Sequence, residues 1–277
     1  MKRIFLLLLL ANAATAADSL YESVAANVSF AAINELPFRD SDYTLAYGEN
    51  PLQFGKLWMP DSGRPAKALL VLIHGGCWLN QFTIDHTFPF SSGLAEAGYA
   101  VWSLEYRRTG DAGGGWPGTF EDVEAGINFV ESLSAYGIDA ENLALLGHSA
   151  GGHLALLAGS ERGNLTVAPD LVVGIAAITD LVEYAKGGSS CESAVPAFLG
   201  GSVADVPEAY HSANPGNHTL HPNSYLLQGD LDEIVPLSQA QLPGAETRIS
   251  NGASHFDWIH PGAPAFAQLL QLLEELF

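Results

Sequence analysis

Residues 68–73 are all apolar, and residues 99–106 form a second, largely apolar stretch. A strand of this composition has no polar face, so it fits a sheet that other elements cover on both sides. Segments with helical spacing lie between such strands, and the alternation predicts an α/β fold, with a mostly parallel central sheet and helices on both faces. The remaining predicted strands are an opening pair and four later segments: residues 43–48, 52–59, 142–146, 171–178, 224–227 and 247–249.

The clearest predicted helices are residues 119–136, a helix that begins near Ser149, and residues 263–276. One domain accounts for the whole alternation, and we predict it over residues 17–277. Residues 181–221 interrupt the alternation, because Gly, Pro and Ser cluster there without a clear period. We expect this stretch to form a small cap insertion over the carboxyl ends of the strands.

Residues 1–16 have the order of a secretory signal peptide, with Lys2 and Arg3 first, then an apolar run, then small residues that end at Ala16. We predict cleavage after Ala16 and a mature protein that is secreted or periplasmic. The apolar run is shorter than the roughly 20 residues of a transmembrane helix, so stable membrane insertion is not expected.

Net charge limits the classes of partner. Eleven Lys and Arg residues against 31 Asp and Glu residues give a formal net charge of −20. Such a surface repels the phosphates of nucleic acids and anionic lipid headgroups. We therefore expect no nucleic acid partner. The sequence leaves the oligomeric state open.

A candidate nucleophile lies in the motif GHSAG, residues 147–151, between a predicted strand and a predicted helix. This is the context of a nucleophile elbow, a tight turn that exposes a serine hydroxyl at the edge of the sheet. The turn leaves no room for side chains at Gly147 and Gly151. We therefore predict Ser149 as the nucleophile, with the backbone N–H of Ala150 available to an oxyanion at the start of the helix.

The motif HGGCW, residues 74–78, directly follows the most apolar strand. Glycines allow the backbone to pass close to a substrate carbonyl. We predict that the N–H groups of Gly76 and Cys77 complete an oxyanion hole with that of Ala150. The alternative is an ordinary glycine turn after a strand.

A serine nucleophile needs a general base, and the base needs an acid that orients it. Asp232 lies shortly after a predicted strand, and His255 lies in a Gly-containing loop between the last predicted strand and the last predicted helix. We predict Asp232 and His255 for these roles, with Asp180 as the alternative acid. His153, one turn after Ser149, is expected to pack beneath the elbow.

We expect no cofactor and no metal ion. Gly113, Gly115 and Gly118 satisfy the G-x-G-x-x-G pattern of dinucleotide-binding loops, but the run contains Pro117 and does not lie between a first strand and its helix. The spacing of the histidines matches no zinc signature.

Together these motifs resemble those of the α/β-hydrolase superfamily, in particular secreted carboxylesterases and lipases with an HGG-x-W oxyanion loop. The chain is similar both to feruloyl and acetyl esterase-like members and to kynurenine formamidase-like members. The motifs HGGCW, EYRR, GHSAGGH, DEIVP and GASHFDW carry the resemblance, at residues 74–78, 105–108, 147–153, 232–236 and 252–258. Cys77 departs from the hormone-sensitive-lipase pattern, where a third Gly is usual, and the signal peptide departs from the formamidases, which are generally intracellular.

The resemblance implies a serine hydrolase that cleaves carboxylic esters of small substrates through an acyl-enzyme intermediate, with a triad of Ser149, Asp232 and His255. An arylformamidase that hydrolyses a formamide is the alternative. A non-catalytic binding protein on a hydrolase scaffold is a more distant one.

Aromatic residues near the motifs are candidates for a substrate pocket. We expect Trp78, Trp116 and Trp258, together with Phe82, to line it, and the alternative for each is a place in the core.

The sequence contains two cysteines, Cys77 and Cys191. Disulfides persist outside the cytoplasm, so the predicted export makes a disulfide between them possible. Such a bond would tie the oxyanion loop to the cap. The alternative is two buried thiols.

Overall fold

Eight strands form one sheet in a computed structural model that describes residues 19–60 and 65–277. The predicted signal peptide therefore lies outside the described residues. The strands are β1 Tyr43–Ala46, β2 Phe54–Trp58, β3 Leu69–Ile73, β4 Ala100–Leu104, β5 Leu143–His148, β6 Leu171–Ile175, β7 Ser224–Gly229 and β8 Glu246–Ser250. Their order across the sheet is β1-β2-β4-β3-β5-β6-β7-β8. β2 is antiparallel to both β1 and β4, and all other neighbours are parallel. The predicted mostly parallel sheet is confirmed.

Helices cover both faces of the sheet. They are α1 Phe30–Asn34, α2 Phe88–Glu96, α3 Gly118–Asn128, α4 Ala150–Ala158, α5 Leu181–Tyr184, α6 Val195–Leu199, α7 Pro207–Ala213 and α8 Pro264–Leu276. The prediction of one helix over residues 119–136 is wrong in its second half, where α3 gives way to 3₁₀ turns over Phe129–Tyr136. These turns end at Gly137, which is in the left-handed conformation that commonly closes a helix. Within the described ranges, every helix falls short of the length and apolar character that a membrane span requires.

β3 shows why both faces need helices. All five of its residues are buried. Leu69, Val71 and Ile73 belong to the core that α3 and α4 cover, whereas Leu70 and Leu72 belong to the opposite core, which α2 and α8 cover. Side chains alternate between the faces of a strand, so a fully apolar strand is stable only when both faces are packed.

Residues 181–221, the predicted cap insertion, carry α5, α6 and α7 between β6 and β7. Phe198 of α6 stacks on Trp78, with ring centroids 4.8 Å apart. The carbonyl of Ala213, the last residue of α7, accepts a hydrogen bond from Nε2 of His153 at 2.8 Å. This stretch therefore adjoins the loop that follows β3 and the helix α4 that follows β5.

The N-terminal segment, residues 19–42, packs on the opposite side from α3 and α4, where Val28 and Ile33 join the core that contains α2 and α8. The Tyr21 hydroxyl donates a hydrogen bond to the carbonyl of Pro89 at 2.8 Å. No element is predicted from the sequence before residue 43. The contacts of residues 19–42 are with residues far along the chain, so local sequence patterns do not reveal them.

Candidate active site

Ser149 lies between the end of β5 and the start of α4, with φ 58° and ψ −120°. A non-glycine residue rarely adopts this conformation, and strain of this kind is typical of a nucleophile elbow. The backbone N–H of Ser149 donates to the carbonyl of Ile175 at 2.8 Å, which helps to hold the turn against β6. A Cβ on Gly147 would collide with the carbonyl of Gly151, and a Cβ on Gly151 would collide with that of Ile73. The spacing of the two glycines is thus a steric requirement of the turn.

The loop of residues 74–78 turns back over this elbow through three successive positive φ angles, at Gly76, Cys77 and Trp78. The approach is close, since a Cβ on Gly75 would lie 3.0 Å from the Cβ of Ser149. Gly76 and Cys77 line the same cavity as Ser149.

The predicted oxyanion donors are unoccupied within the molecule. Among the described residues, the N–H groups of Gly76, Cys77 and Ala150 donate no hydrogen bond. Ala150 is the first residue of α4, where an N–H has no acceptor inside the helix. Unpaired amides beside a serine hydroxyl are what an oxyanion hole requires.

A buried ion pair supports the loop from below. His74 Nε2 lies 3.0 Å from Oε1 of Glu105, and its Nδ1 lies 2.7 Å from the carbonyl of Gly75. Burial raises the pKa of Glu105, but the charge and hydrogen bond of His74 and the charge of Arg108 lower it below the usual value on balance. The Tyr106 hydroxyl donates to the carbonyl of His74 at 2.7 Å. The start of the loop is therefore held at both the side chain and the backbone carbonyl of His74.

Asp232 and His255 meet above the ends of β7 and β8. His255 Nδ1 lies 2.7 Å from Oδ2 of Asp232, and both residues are buried. The other carboxylate oxygen, Oδ1, accepts the N–H groups of Ile234 at 2.9 Å and Val235 at 2.8 Å. Asp180, the alternative acid, takes no part in this contact. Its carboxylate is exposed and caps the start of α5. With Nδ1 bonded to Asp232, Nε2 of His255 is the nitrogen that is left for a proton from a nucleophile.

His148, the residue before Ser149, ties the elbow to the His255 loop. Its Nε2 donates to the carbonyl of His255 at 3.0 Å, and the two rings lie 4.6 Å apart. Burial and then the charge of His255 hold the pKa of His148 well below its usual value, so the ring is neutral. Sequence reasoning gave His148 no role, since nothing in the motif shows which way its side chain points.

His153 packs beneath the elbow, where it was expected. Its Nδ1 accepts a hydrogen bond from Nε1 of Trp78 at 3.3 Å, and its Nε2 donates to the carbonyl of Ala213. Burial lowers the pKa of His153 to about 4, which fits a neutral ring with one donor and one acceptor nitrogen.

Ser149 and His255 line one cavity of about 220 Å³. Its walls are mostly apolar and carry three phenylalanines, Phe30, Phe82 and Phe256. Of the side chains expected in a substrate pocket, only Phe82 lies there.

The three tryptophans lie elsewhere. Trp78 and Trp258 are fully buried in the two cores. Trp116 stacks on Phe120, with ring centroids 5.5 Å apart. The pocket is therefore aromatic, as expected, but the aromatic side chains come from different parts of the chain.

A disulfide joins Cys77 to Cys191. Both cysteines line the cavity. The bond links the loop of residues 74–78 to residues 181–221, at the turn before Glu192–Ala194. One wall of the cavity is thus covalently fixed.

A wider groove of about 590 Å³ opens beside the cavity. The two spaces share Phe30, Ile234, His255 and Phe256 as lining residues. The groove also exposes polar side chains: Asn27, Ser29, Asp230, Glu233 and Ser254.

Asp257 is a buried carboxylate that sequence reasoning missed. It accepts the N–H groups of Asn27 and Val28 at 2.8 and 2.9 Å. It also accepts the N–H and the hydroxyl of Ser254 at 2.9 and 2.6 Å. Asp257 therefore joins the N-terminal segment to the loop that carries His255. The only signal in the sequence was an acid two residues after the candidate base.

Comparison with known proteins gives a family. The family model BD-FAE matches residues 56–243 of this chain. The chain is 25% identical over 213 residues to Esterase LipQ of Mycobacterium tuberculosis, covering 72% of this chain and 50% of that protein. It is 27% identical over 214 residues to Esterase LipC of the same organism, covering 70% of this chain and 52% of that protein. The chain thus spans about half the length of these curated relatives.

Two solved structures with the same architecture are named as esterases. Esterase B from Lactobacillus rhamnosis superposes with a TM-score of 0.71 at 21% identity, over 87% of each chain. A truncated carbohydrate esterase from gut microbiota superposes with a TM-score of 0.70 at 22% identity, over 86% of this chain and 96% of the other. At these identities the likeness establishes the fold alone. The predicted α/β-hydrolase fold is confirmed, and the chain belongs to the BD-FAE family.

Proposed function

We propose that this protein hydrolyses carboxylic esters of small substrates, with Ser149 as the nucleophile. The observation that carries the proposal is the 2.7 Å contact between Asp232 and His255, since His255 lines the same cavity as Ser149. The esterase names of the relatives support an ester as the substrate. They give no support to the formamide alternative.

The proposed reaction follows from the roles that these groups fit. Nε2 of His255 removes the Ser149 proton, and the serine oxygen attacks the ester carbonyl. Asp232 holds the imidazole in the correct tautomer and stabilises its protonated form. His255 then protonates the departing alcohol, and water resolves the acyl-enzyme with His255 again as the base.

The free N–H groups of Gly76, Cys77 and Ala150 are the proposed donors to the tetrahedral oxyanion. They are already fixed before the substrate binds, because the loop over the elbow is held by His74 and by the disulfide. Preorganised donors need no rearrangement as charge develops on the oxygen, which is the source of their effect on the rate.

The test is kcat/KM of the mature protein on p-nitrophenyl acetate and on N-formylkynurenine, with Ser149→Ala as the blank. We expect turnover of the ester, little turnover of the formamide, and covalent labelling of Ser149 by a fluorophosphonate. Preference for the formamide would reassign the protein as an arylformamidase. No turnover of either substrate and no labelling would favour a binding protein on a hydrolase scaffold.

We also propose that the mature protein is exported and acts in the periplasm or the medium. The order of residues 1–16 supports this proposal, as does the disulfide between Cys77 and Cys191, since disulfides persist in oxidising compartments. Mass spectrometry of the secreted protein should find Ala17 as the new N-terminal residue, whereas an intact Met1 would contradict cleavage.

A further inference from the structure

Phe30, the first residue of α1, lies where the cavity and the groove meet. Its half-buried ring contacts three rings of the cavity wall: Phe256, His86 and Phe82, with centroids 5.2, 5.8 and 6.1 Å away. Phe30 belongs to the N-terminal segment and lies outside residues 56–243, the part that matches the family model. The N-terminal segment therefore contributes a wall to the candidate active site.

The backbone before Phe30 is fastened to the loop that carries His255. The carboxylate of Asp257 accepts the N–H groups of Asn27 and Val28, and it also accepts the N–H and the hydroxyl of Ser254. These are four groups from two distant parts of the chain around one buried carboxylate.

The backbone after Phe30 is also fixed. The hydroxyl of Ser29 caps α1 by accepting the N–H of Ala32 at 3.3 Å. Ile33 is fully buried in the core. The backbone at Phe30 is thus held between two anchored stretches.

We propose that Phe30 is a specificity-determining residue that separates an acyl-binding cavity from an alcohol-binding groove and limits the acyl group to a few carbons. This inference rests on the proposed ester hydrolysis at Ser149. It goes further by stating which acids the esters contain.

The proposed reaction decides which part of the ester each of the two spaces binds. The alcohol must leave within reach of the proton on His255, and the groove is lined by His255 and Asp232 but not by Ser149. The acyl carbon must bond to Ser149 with its oxygen near the N–H groups of Gly76 and Cys77, and these residues line the cavity. The cavity, at about 220 Å³, is the smaller and less polar of the two.

Loss of the ring would join the two spaces. A longer chain could then pass the position of Phe30 while it stays in contact with Phe82 and Phe256. Burial of each extra methylene favours binding by about fourfold, so a gain of several methylenes changes selectivity by more than tenfold.

The experiment measures kcat/KM on two series of esters. One keeps the alcohol constant, as p-nitrophenyl esters from acetate to octanoate, and the other keeps the acyl group constant, as acetates of p-nitrophenol, benzyl alcohol and methanol. Wild-type protein should prefer acetate or butyrate to octanoate by at least about tenfold. Phe30→Ala should raise the octanoate-to-acetate ratio at least about tenfold, with Phe30→Leu between the two and with a smaller change in the alcohol series.

Phe38→Ala is the matched control. Phe38 comes from the same segment but is 46% exposed and packs on Phe88, away from the cavity. It should leave the octanoate-to-acetate ratio at the wild-type value.

Several results would overturn the inference. They are a wild-type enzyme that hydrolyses octanoate as fast as acetate, a Phe30→Ala profile parallel to that of wild type, and a shift confined to the alcohol series. If these appear in a protein whose Ser149 is labelled by a fluorophosphonate, the inference fails and the proposed function stands. If wild-type protein turns over no ester and Ser149 is not labelled, both fail.

Discussion

The two sides of the candidate site are built in different ways. The nucleophile side, Ser149 and residues 74–78, follows β5 and β3 in the middle of the sheet, and its shape depends on backbone contacts that leave no room for a Cβ. The base side, Asp232 and His255, follows β7 and the exposed edge strand β8, and hydrogen bonds to side chains position it. Doubly covered strands provide a rigid edge through packing. Loops at the end of a sheet need buried polar groups to fix them.

The largest expected effect is on the base side, where one carboxylate orients His255. Asp232→Asn should leave the fold intact and lower kcat by about 10⁴-fold, because the amide stabilises the wrong imidazole tautomer and carries no charge. The measurement is kcat on p-nitrophenyl acetate, with circular dichroism to verify folding. Asp180→Asn is the control and should retain activity, since the Asp180 carboxylate caps α5. Loss of activity in the Asp180 variant alone would reassign the acid.

A substitution on the nucleophile side should instead destabilise the fold through a steric clash. A Cβ at Gly151 would collide with the carbonyl oxygens of both Ile73 and His74. We expect Gly151→Ala to lower the free energy of unfolding by about 3 kcal/mol or more, because the end of β3 cannot move without disturbing the central sheet. Urea unfolding measures the change. Gly188→Ala, at an exposed position with nothing within 4 Å, should change it by less than about 0.5 kcal/mol. Equal stability of the two variants would contradict the steric account.

The same contrast explains what could be predicted from the sequence. The sheet, the elbow at Ser149 and the loop at 74–78 leave local patterns, because apolar runs and glycine spacing are dictated by neighbours in the chain. The side chain of Trp78 leaves none. The same loop could direct it to the substrate or to the core, and it stacks on Phe198, a contact between residues far apart in the sequence.

The sequence predicted which residues form the base side, but not which residues hold them in place. Asp232 and His255 follow predicted strands in the expected order, and the structure brings them together. Asp257 and Phe30 were not foreseen. Asp257 binds the backbone of the N-terminal segment and Phe30 belongs to that segment, where no periodicity marks a helix or a strand. The roles of all these residues in catalysis remain predictions that the variants test.

A smaller effect should appear as a pH dependence on the nucleophile side. Burial lowers the pKa of His153 to about 4, from the usual histidine value of 6.5. The unfolded chain therefore binds a proton between these values while the folded protein does not, so stability falls as the pH is lowered through this window. One such histidine makes the free energy of unfolding about 2 kcal/mol lower at pH 5 than at pH 7.

Urea unfolding at the two pH values measures this loss. We expect His153→Gln to reduce the pH-dependent loss by about 2 kcal/mol, whatever its stability at pH 7. His211→Gln, at an exposed position on α7, is the control and should show the wild-type loss. The same loss in all three proteins would mean that His153 is not the neutral, buried group that links Trp78 to α7.

The smallest expected effect sharpens the comparison most, because in the described structure the disulfide is the one covalent tie between the loop of residues 74–78 and residues 181–221. Cys77 contributes a proposed oxyanion donor through its backbone, and Cys191 holds it from residues 181–221. If the noncovalent contacts of His74 and Trp78 already fix the loop, Cys191→Ser should lower stability and leave kcat unchanged. We expect instead that kcat falls about tenfold, less than the 10² to 10³ that follows loss of a whole donor, because the amide of Cys77 is loosened but still present. Dithiothreitol should have the same effect on wild-type protein and none on Cys191→Ser. A change in KM or in unfolding temperature without a change in kcat would show that the nucleophile side is complete without this bond.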